Sequence, residues 1–392
     1  MFGQPADGEV ISLKDGRDHL IGSAIYNSKS QIVARRISRR KQGLDLDFFE
    51  RRIAQAIDYR VRRKFNPRLS RLVWSESDGL PGVIIDRYGE HIVLQTSTLA
   101  MDQRKELIVS ALQNVCGTGD VSGEAATPLG PTDERRVLRS AEQPPPIRSI
   151  FERNDAIVRR AEGMELQTGL LWGELPNELE IDVAGLKLSI DLRHSQKTGF
   201  YLDQLPNYEP VATHARGRRV LDCFTSQGAF ALACARAGAT EVIGVEVGAE
   251  SIRAAEKNAA ANQLAVRFIE RDVFQFLRAA EKSGERFDLI ILDPPSFTKT
   301  KSSLRDALRG YKELHVRAFN LLTPEGLLAT FSCSHHVSAE IFETMIAEAL
   351  VDARRSARRL RRFEQALDHP VLPTIPETEY FRGLLLEMMP GR

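Results

Sequence analysis

The strongest constraint on the fold is a regular alternation of strand-like and helix-like segments in the C-terminal half of the chain. Short apolar runs at residues 219–221, 241–245, 266–269, 287–292 and 326–331 are separated by longer stretches with helical periodicity. Strands that alternate with helices lie parallel in one sheet, with the helices covering both faces. The sequence therefore predicts an α/β protein with a doubly wound, Rossmann-like sheet in this half.

The turn after the first predicted strand is a candidate site for a nucleotide-type ligand. In residues 222–230, Gly228 would let a ligand approach the backbone, and the following helix start would offer free N–H groups. Asp222, Phe224 and Gly228 are the candidate cofactor-binding residues here. The sequence has no Gly-x-Gly-x-x-Gly turn and no Gly-Lys-Ser/Thr phosphate loop, which argues against dinucleotides and nucleoside triphosphates.

Two acids at the ends of the next strands complete the predicted cofactor site. Glu246 lies 24 residues after Asp222, where an acid can bind a ribose diol. Asp272 follows the third strand and can accept from an adenine amino group, while Val273 or Phe274 lies on the ring. One ribose acid and one adenine acid without a phosphate cradle fit S-adenosylmethionine. Each acid alone is also a common type of helix N-cap.

Two further segments follow the fourth and fifth strands of this sheet. Asp293 begins the turn 293–297, and Cys333 comes directly after the apolar run that ends at Phe331. Both should lie at the carboxyl edge of the sheet, where open α/β folds bind ligands. A thiolate that adds to C6 of a pyrimidine makes C5 nucleophilic, so Cys333 is a candidate nucleophile. The alternative is that Cys333 is a small core residue.

Length and composition set broad limits. The 392 residues suffice for two or three domains, and 42% hydrophobic with 27% charged residues is ordinary for a globular protein. No apolar run approaches the roughly 20 residues that span a bilayer, and the first residues lack a secretory signal, so a cytoplasmic enzyme without membrane contact is expected. The four cysteines form no Cys-x-x-Cys pair or zinc-like spacing, so no metal site is predicted.

Positive charge is concentrated at the N-terminal end. Residues 1–71 contain sixteen Lys and Arg but eight Asp and Glu, although the whole chain has a formal net charge of +1. Apolar residues every four positions predict an amphipathic helix over residues 47–65, whose other faces include Arg60, Arg62 and Arg63. Arg62 and Arg63 are candidate contacts to RNA phosphates. A solvated basic helix face is the alternative.

The remaining segments suggest how the chain divides. Strand patterns separated by turns cover residues 9–41, and two hairpin strands are predicted at residues 179–183 and 186–190. Residues 117–148 are rich in Gly, Pro, Ser, Thr and charge, with no apolar period. They are predicted to form a mobile surface loop.

Several of these turns are similar in sequence to those of one known family. The chain resembles the bacterial 23S ribosomal RNA large subunit methyltransferase I family, whose members make 5-methylcytidine from S-adenosylmethionine. The run 194–204 and the Cys333 segment are the most specific, whereas the Asp293 turn is shared with many amino-group methyltransferases. The matching segments are residues 75–82, 194–204, 222–230, 293–297, 309–312, 331–334 and 368–370.

The resemblance implies an architecture, a cofactor and a substrate. Lys197 and Thr198 would lie beside S-adenosylmethionine, Cys333 would be the nucleophile, and 23S ribosomal RNA would be the substrate. The oligomeric state is left open, with a homodimer as one option. The implied domains are a PUA-like RNA-binding module, a small α+β middle domain and a class I methyltransferase domain, at residues 1–43, 44–190 and 191–392.

The chain also departs from the family at several points. Relatives usually begin well before the position that matches Val10, so the PUA-like module is expected to lack its first strands. Ser296 stands where relatives often have Lys, and His335 and His336 stand where they often have Gly and an apolar residue. Contacts to the base are therefore expected to differ. Residues 117–148 correspond to an insertion.

The predicted mechanism acts on a cytosine extruded from RNA. Pro294, Pro295 and Phe297 would hold the base, and Cys333 would add to C6 as the catalytic nucleophile. Asp293 is the second candidate catalytic residue: it would orient the N3 and amino edge of the base and assist proton transfer, and it is also a candidate contact to the cofactor. The turn has no second cysteine, so the base that removes the C5 proton is unassigned. Two other functions stay open: methylation of an exocyclic amine or a guanine ring nitrogen, and RNA binding without turnover.

Overall fold

A computed structural model describes residues 4–119, 145–194, 198–297 and 304–390. The chain divides into two units that interrupt each other in sequence. Most of the predicted mobile loop, residues 120–144, lies outside the described residues. Unit 1 comprises Met1–Ile181, Ile190–Leu202 and Leu367–Leu372, and unit 2 comprises Asp182–Ser189, Asp203–Ala366 and Pro373–Arg392.

Unit 1 contains two sheets and four helices among the described residues. The first sheet is antiparallel, in the order β1 (Val10–Lys14), β2 (Leu20–Tyr26), β3 (Ala34–Ser38). The second has the order β4 (Leu69–Trp74), β5 (Val83–Tyr88), β6 (His91–Thr96), β7 (Ser149–Asn154), β8 (Gln167–Gly173), and its β6–β7 pair alone is parallel. The helices are α1 (Leu46–Arg62), α2 (Leu99–Asp102), α3 (Lys105–Cys116) and α4 (Val158–Ala161).

Helix α1 shows how local sequence sets an element. Its N-cap is Asp45, whose carboxylate accepts from the backbone N–H of Phe48 at 2.9 Å. The predicted apolar repeat of four residues fails at Val61, which is 45% exposed. Four residues turn an α-helix by about 400°, so such a repeat drifts about 40° per step away from the core. The buried positions are Phe48, Phe49, Ile53, Ala56 and Arg60.

The prediction that Arg60 faces solvent is therefore wrong. Its side chain is 2% exposed, and its Nη1 atom forms an ion pair with the Asp78 carboxylate at 2.7 Å. The guanidinium also donates to the backbone carbonyls of Arg71 and Asp368, at 2.8 and 2.7 Å. Buried cations require such partners, and here they tie α1 to segment 367–372 of the same unit.

Unit 2 has one seven-stranded sheet in the order β13-β12-β11-β14-β15-β17-β16. The first five strands are parallel, and β17 is antiparallel to both of its neighbours. The strands are β11 (Arg219–Cys223), β12 (Glu241–Glu246), β13 (Arg267–Glu270), β14 (Phe287–Leu292), β15 (Leu322–Ser332), β16 (Ala357–Glu364) and β17 (Arg382–Met388). The helices are α5 (Leu205–Ala212), α6 (Ala229–Arg236), α7 (Ala249–Ala261), α8 (Val273–Ser283), α9 (Leu304–Leu321) and α10 (Ala339–Asp352).

The apolar core of unit 2 lies between the parallel strands and the helices that connect them. It includes Leu221, Ile290 and Leu328 from the strands, with Leu277 and Phe319 from the helices, all fully buried. The predicted α/β architecture with a doubly wound sheet is confirmed. None of the helices in the described ranges combines the length and apolar character needed to cross a bilayer.

The two remaining strands are β9 (Leu179–Val183) and β10 (Leu186–Ile190), which form a separate two-stranded sheet as predicted. Ala184 and Gly185 connect them, and both have positive φ. Two-residue turns of this kind match the twist of the flanking strands.

Candidate functional site

The turn after β11 has an unusual backbone. Phe224, Ser226 and Gly228 have φ values of 63°, 48° and 87°, all in the left-handed region. This conformation costs a non-glycine residue on the order of 1–3 kcal/mol and clusters at ligand sites. At Gly228 a Cβ atom would also lie 3.0 Å from the Phe268 ring. A side chain at position 228 would therefore be crowded as well as strained in its backbone conformation.

Asp222 is a buried carboxylate directly before this turn. It is 1% exposed, and its Oδ2 atom accepts from the Thr225 hydroxyl at 2.6 Å and from the Ala231 N–H at 3.0 Å. Its buried Oδ1 atom has no hydrogen-bond partner among the described residues. Burial raises the pKa of Asp222 to about 7, and the negative charges of Asp293 and Glu246 add to the shift. An approaching cation would return this group to its charged form.

Glu246 lies at the end of β12, facing the same turn. Its Oε2 atom accepts from the Ser226 N–H at 3.2 Å, and its Oε1 atom accepts from the N–H groups of Val247 and Gly248 at 2.8 and 3.2 Å. These bonds fix a half-buried carboxylate beside the strained turn. Each oxygen can accept further bonds, so the group can also bind a diol.

Asp272 has the structural role that the sequence left as an alternative. It is the N-cap of α8, and its Oδ1 atom accepts from the Gln275 N–H at 2.9 Å. This bond engages one of its two carboxylate oxygens. The Val273 side chain is 2% exposed and packs in the core of unit 2. The half-buried Phe274 is thus better placed than the Val273 side chain to lie against a bound ring.

An aromatic cluster follows β14. The Phe297 ring centroid lies 4.6 Å from that of Tyr311, 6.1 Å from that of Phe274 and 6.4 Å from that of Phe224. The Tyr311 hydroxyl donates to the Pro295 carbonyl at 3.3 Å and accepts from the Phe297 N–H at the same distance. A single buried phenol on α9 thus holds the turn 293–297 from both sides.

Tyr311 also connects this turn with the end of β15. Burial raises the pKa of the Tyr311 phenol to about 12; the Phe297 N–H and a hydrogen bond with Ser332 oppose this shift, and the negative charges of Cys333 and Asp293 add to it. Strands β14 and β15 are parallel neighbours, with Leu292 opposite Thr330. The two predicted catalytic residues therefore follow adjacent strands at one edge of the sheet.

Cys333 is half-buried and has a cationic neighbour on β17. Arg382 is the register partner of Ser332, and its guanidinium donates to the carbonyls of Ser334 at 3.5 Å and Glu379 at 3.2 Å. Burial lowers the pKa of Arg382, and the negative charges of Glu379 and Cys333 oppose that shift. Arg382 Nε is buried without a hydrogen-bond partner in the described part of the chain.

The Asp293 carboxylate is held from the start of α5. Its Oδ2 atom accepts from Gln204 Nε2 at 2.9 Å, and Gln204 Oε1 accepts from Asn207 Nδ2 at 2.9 Å. Gln204 and Asn207 are both buried. This chain of bonds sets the orientation of Asp293 before any ligand binds.

The other predicted site residues lie in several different parts of the chain. Lys197 lies outside the described residues. Thr198 belongs to unit 1, where its hydroxyl donates to the Asp86 carboxylate at 2.5 Å. The exposed Arg62 pairs with Asp58 at 2.9 Å, and Arg63 lies over the Tyr59 ring at 5.6 Å. In the turn 293–297, Pro294 is buried and Pro295 is exposed.

Three residues near the site were not predicted from the sequence. Gln204 and Tyr311 lie inside segments 194–204 and 309–312, which resemble the family. The resemblance pointed to these segments but did not show what the two residues do. Arg382 gave no signal, because only the antiparallel pairing of β17 with β15 brings it to Cys333.

Comparison with known proteins gives the family. A profile of S-adenosylmethionine-dependent methyltransferases matches residues 155–386, and one of the PUA-like domain matches residues 2–39. The chain is 38% identical over 392 residues to a protein of Tolumonas auensis named ribosomal RNA large subunit methyltransferase I, covering 98% of this chain and 91% of that protein. The chain belongs to this family. A protein of the same name from Escherichia coli O157:H7 is 36% identical over 396 residues, covering 99% and 93%.

Solved structures agree on the fold of this ribosomal RNA large subunit methyltransferase I family member. A SAM-dependent methyltransferase from Streptococcus mutans has a TM-score of 0.78 at 21% identity, with 98% of this chain and 93% of that chain covered. A structure with the same scores is a methyltransferase complexed with SAH. The predicted methyltransferase fold, the PUA-like region and S-adenosylmethionine as cofactor are thereby confirmed.

Proposed function

We propose that this methyltransferase forms 5-methylcytidine in 23S ribosomal RNA, with Cys333 as the nucleophile. The observation that carries the proposal is the link through Tyr311 between the turn that holds Asp293 and the turn that holds Cys333. The names of the curated relatives support ribosomal RNA of the large subunit as the substrate. The PUA-like residues, with Arg62 and Arg63, are proposed to contact the RNA backbone.

The residues around the β11 turn fit S-adenosylmethionine, which supplies an electrophilic methyl group when bound. The unpaired Oδ1 atom of Asp222 offers a buried acceptor to an ammonium group. Glu246 is proposed to accept from the ribose hydroxyls, and the second oxygen of Asp272 from the adenine amino group. Lys197 and Thr198 are proposed to lie nearby on the family resemblance alone.

The turn 293–297 is proposed to hold a cytosine that has left the RNA stack. Extrusion costs a few kcal/mol and is easiest for an unpaired base. Pro295 and Phe297 offer apolar surface at the edge of the aromatic cluster, with Pro294 as support beneath them. Asp293, oriented by Gln204, can accept from the cytosine amino group and so distinguish cytosine from uracil.

The chemistry then follows from the position of Cys333. Its thiolate forms a bond to C6, which moves an electron pair onto C5. C5 then takes the methyl group as the bond from that group to the sulfonium sulfur breaks, and the electron pair of this bond stays on the sulfur. A base removes the C5 proton, the C6–S bond breaks, and the thiolate is restored. Arg382 provides positive charge near the sulfur. This charge favours the thiolate both before it adds to C6 and after it is released.

The test is the variant Cys333→Ala, assayed with RNA that contains 5-fluorocytidine. The wild-type enzyme should form a covalent adduct, because fluorine cannot leave C5 as a proton does. Cys333→Ala should form no adduct and should not methylate ordinary RNA, while S-adenosylmethionine affinity stays unchanged. Cys116→Ala is the matched control: burial raises the pKa of Cys116 to about 11, so this thiol is a poor nucleophile, and its variant should still form the adduct.

Two results would overturn the covalent mechanism. One is near-normal methylation by Cys333→Ala, and the other is a product nucleoside with its methyl group on nitrogen, identified by mass spectrometry. Either would favour methylation of an exocyclic amine or a guanine ring nitrogen, for which the Asp293 turn suffices.

A further inference from the structure

A strongly basic edge strand lies apart from the site described above. Among the described residues, β16 pairs with β17 alone, so its other side forms the border of the unit 2 sheet. Its eight residues include four arginines, and another arginine precedes it in an exposed turn. These five, named here the β16 arginines, are Arg354, Arg358, Arg359, Arg361 and Arg362.

The shape of β16 spreads these side chains over both faces of the strand. The pairing with β17 shifts register between Arg359 and Arg361, which leaves Leu360 as an extra residue that is 47% exposed. Along the strand, the span from Arg358 to Arg362 is roughly 13 Å at about 3.3 Å per residue. Four guanidinium groups within this span form a dense strip of positive charge.

Nearby carboxylates neutralise only part of this charge. Glu343 is shared by Arg359 and Arg362, at 3.1 and 2.8 Å, and Arg358 pairs with Glu387 at 3.4 Å. Arg354 and Arg361 form no ion pair with a carboxylate in the part of the chain that the structure describes. Exposed ion pairs contribute little to stability, so they exchange readily for a more highly charged partner.

Arg361 extends the strip toward the end of α5. Its guanidinium lies 5.4 Å from the Phe363 ring centroid. Burial lowers the pKa of His214, and the positive charges of Arg218 and Arg361 lower it further, although Glu387 opposes the shift. The protonated form of His214 is therefore disfavoured, and the positive potential here comes from the arginines.

We propose that the β16 arginines bind backbone phosphates of the RNA substrate. Guanidinium groups match phosphate oxygens in pairs, and a row of them along one strand suits a polyanion better than a single small anion. The inference rests on the proposed function, since that function makes RNA the substrate. A competing explanation is that charged side chains only keep an edge strand from pairing with another chain.

The experiment uses charge reversal, because a glutamate still blocks edge pairing but repels phosphate. In the full-length enzyme, Arg354→Glu with Arg361→Glu breaks no ion pair. The control pair is Arg253→Glu with Arg267→Glu: Arg253 is exposed on α7, and Arg267 is exposed on β13, the opposite edge of the same sheet. Both double variants change the net charge equally.

Binding of a 23S ribosomal RNA transcript and of a short mixed-sequence RNA is measured between about 50 and 200 mM salt. The β16 double variant should bind both RNAs roughly tenfold more weakly at low salt and show a salt slope smaller by about 1.4, which is two lost phosphate contacts on a single strand. The control pair should bind like the wild type, and all three proteins should retain S-adenosylmethionine affinity.

Wild-type affinity and slope in the β16 double variant would overturn the inference and favour the edge-protection explanation. An equal loss in both double variants would also overturn it, since only net charge would then matter. In either of these two cases, methylation of the RNA by the wild-type enzyme would show that the proposed function holds although the β16 arginines do not bind the RNA. If the wild type binds no RNA, both fail together.

Discussion

Two buried aspartates, one in each unit, are held in opposite ways. Asp86 in unit 1 is fully buried, its two oxygens accept from the Arg71 guanidinium at 2.7 and 2.8 Å, and the Thr198 hydroxyl adds a third bond. Asp222 in unit 2 is equally buried. Among the described residues it has no cationic partner, and its Oδ1 atom has no hydrogen bond.

The difference distinguishes a structural carboxylate, Asp86, from Asp222, which we propose binds a ligand. The Asp86 carboxylate accepts from a bidentate guanidinium and a hydroxyl, so its charge is balanced by the protein itself. When a buried carboxylate has no cation beside it, its ionised form is unfavourable and lowers the stability of the folded unit. The raised pKa of Asp222 indicates this effect. Such a group is expected where a ligand supplies the missing charge.

The largest effect should come from Asp86→Asn, which removes the carboxylate from a buried cation. Losing one partner of a buried ion pair typically costs about 3–5 kcal/mol. Both tryptophans, Trp74 and Trp172, lie in unit 1, so tryptophan fluorescence during urea unfolding reports on this unit. The exposed Asp18→Asn is the control and should change little. A loss below about 1 kcal/mol for Asp86→Asn would mean that the pair is not structural.

Asp222→Asn should instead change how stability depends on pH. The folded-state pKa of about 7 is above the ordinary value of 3.8, so the wild-type group stabilises unit 2 at low pH and loses that contribution as pH rises from about 4 to 7. Relative to wild type, the free energy of unfolding of unit 2 in the variant should increase by about 3 kcal/mol between pH 5 and pH 8. Hydrogen exchange of the β11 and β14 amides, corrected for intrinsic rates, measures this. A difference that is flat with pH would show that Asp222 is already charged and paired.

The smallest effect should come from the two hydroxyls that donate to these carboxylates. Thr198→Val and Thr225→Val should each cost roughly 1–2 kcal/mol. The loss of stability caused by Thr198→Val should not vary between pH 6 and 8. The loss in Thr225→Val should increase with pH, because the Thr225 hydroxyl lowers the pKa of Asp222 and so favours its charged form. The same fluorescence and exchange measurements apply, and identical pH profiles for the two variants would remove the contrast.

Much of the sheet could be predicted because its strands are short apolar runs bounded by turns. The predicted limits of β14, residues 287–292, match the structure residue by residue. Helix α1 was predicted in place, but its buried face was not. A repeat of four residues drifts around the helix. Ala56 and Arg60 are therefore buried, at positions where the pattern predicted Ile57 and Val61 to face the core.

The candidate site was predictable to the extent that it lies at strand ends. Asp222 and Glu246 lie at the carboxyl ends of parallel strands, and Asp272 and Asp293 follow two others, so alternation alone placed all four at one edge. What the sequence could not show is which acids are satisfied. Asp272 caps a helix while Asp222 keeps an unpaired oxygen, and this depends on tertiary neighbours.

The small segment 367–372 also sets the timing of folding during synthesis. The backbone N–H of Arg71 donates to Asp368 at 2.9 Å across 297 positions of sequence, and Arg60 contacts the same residue. At about 5–20 residues per second, a ribosome needs roughly 15–60 s to pass from one contact partner to the other. During that interval the nascent N-terminal unit has a buried arginine that lacks one of its acceptors. The first unit to leave the ribosome is thus among the last to be completed, a period in which chaperones have access to it.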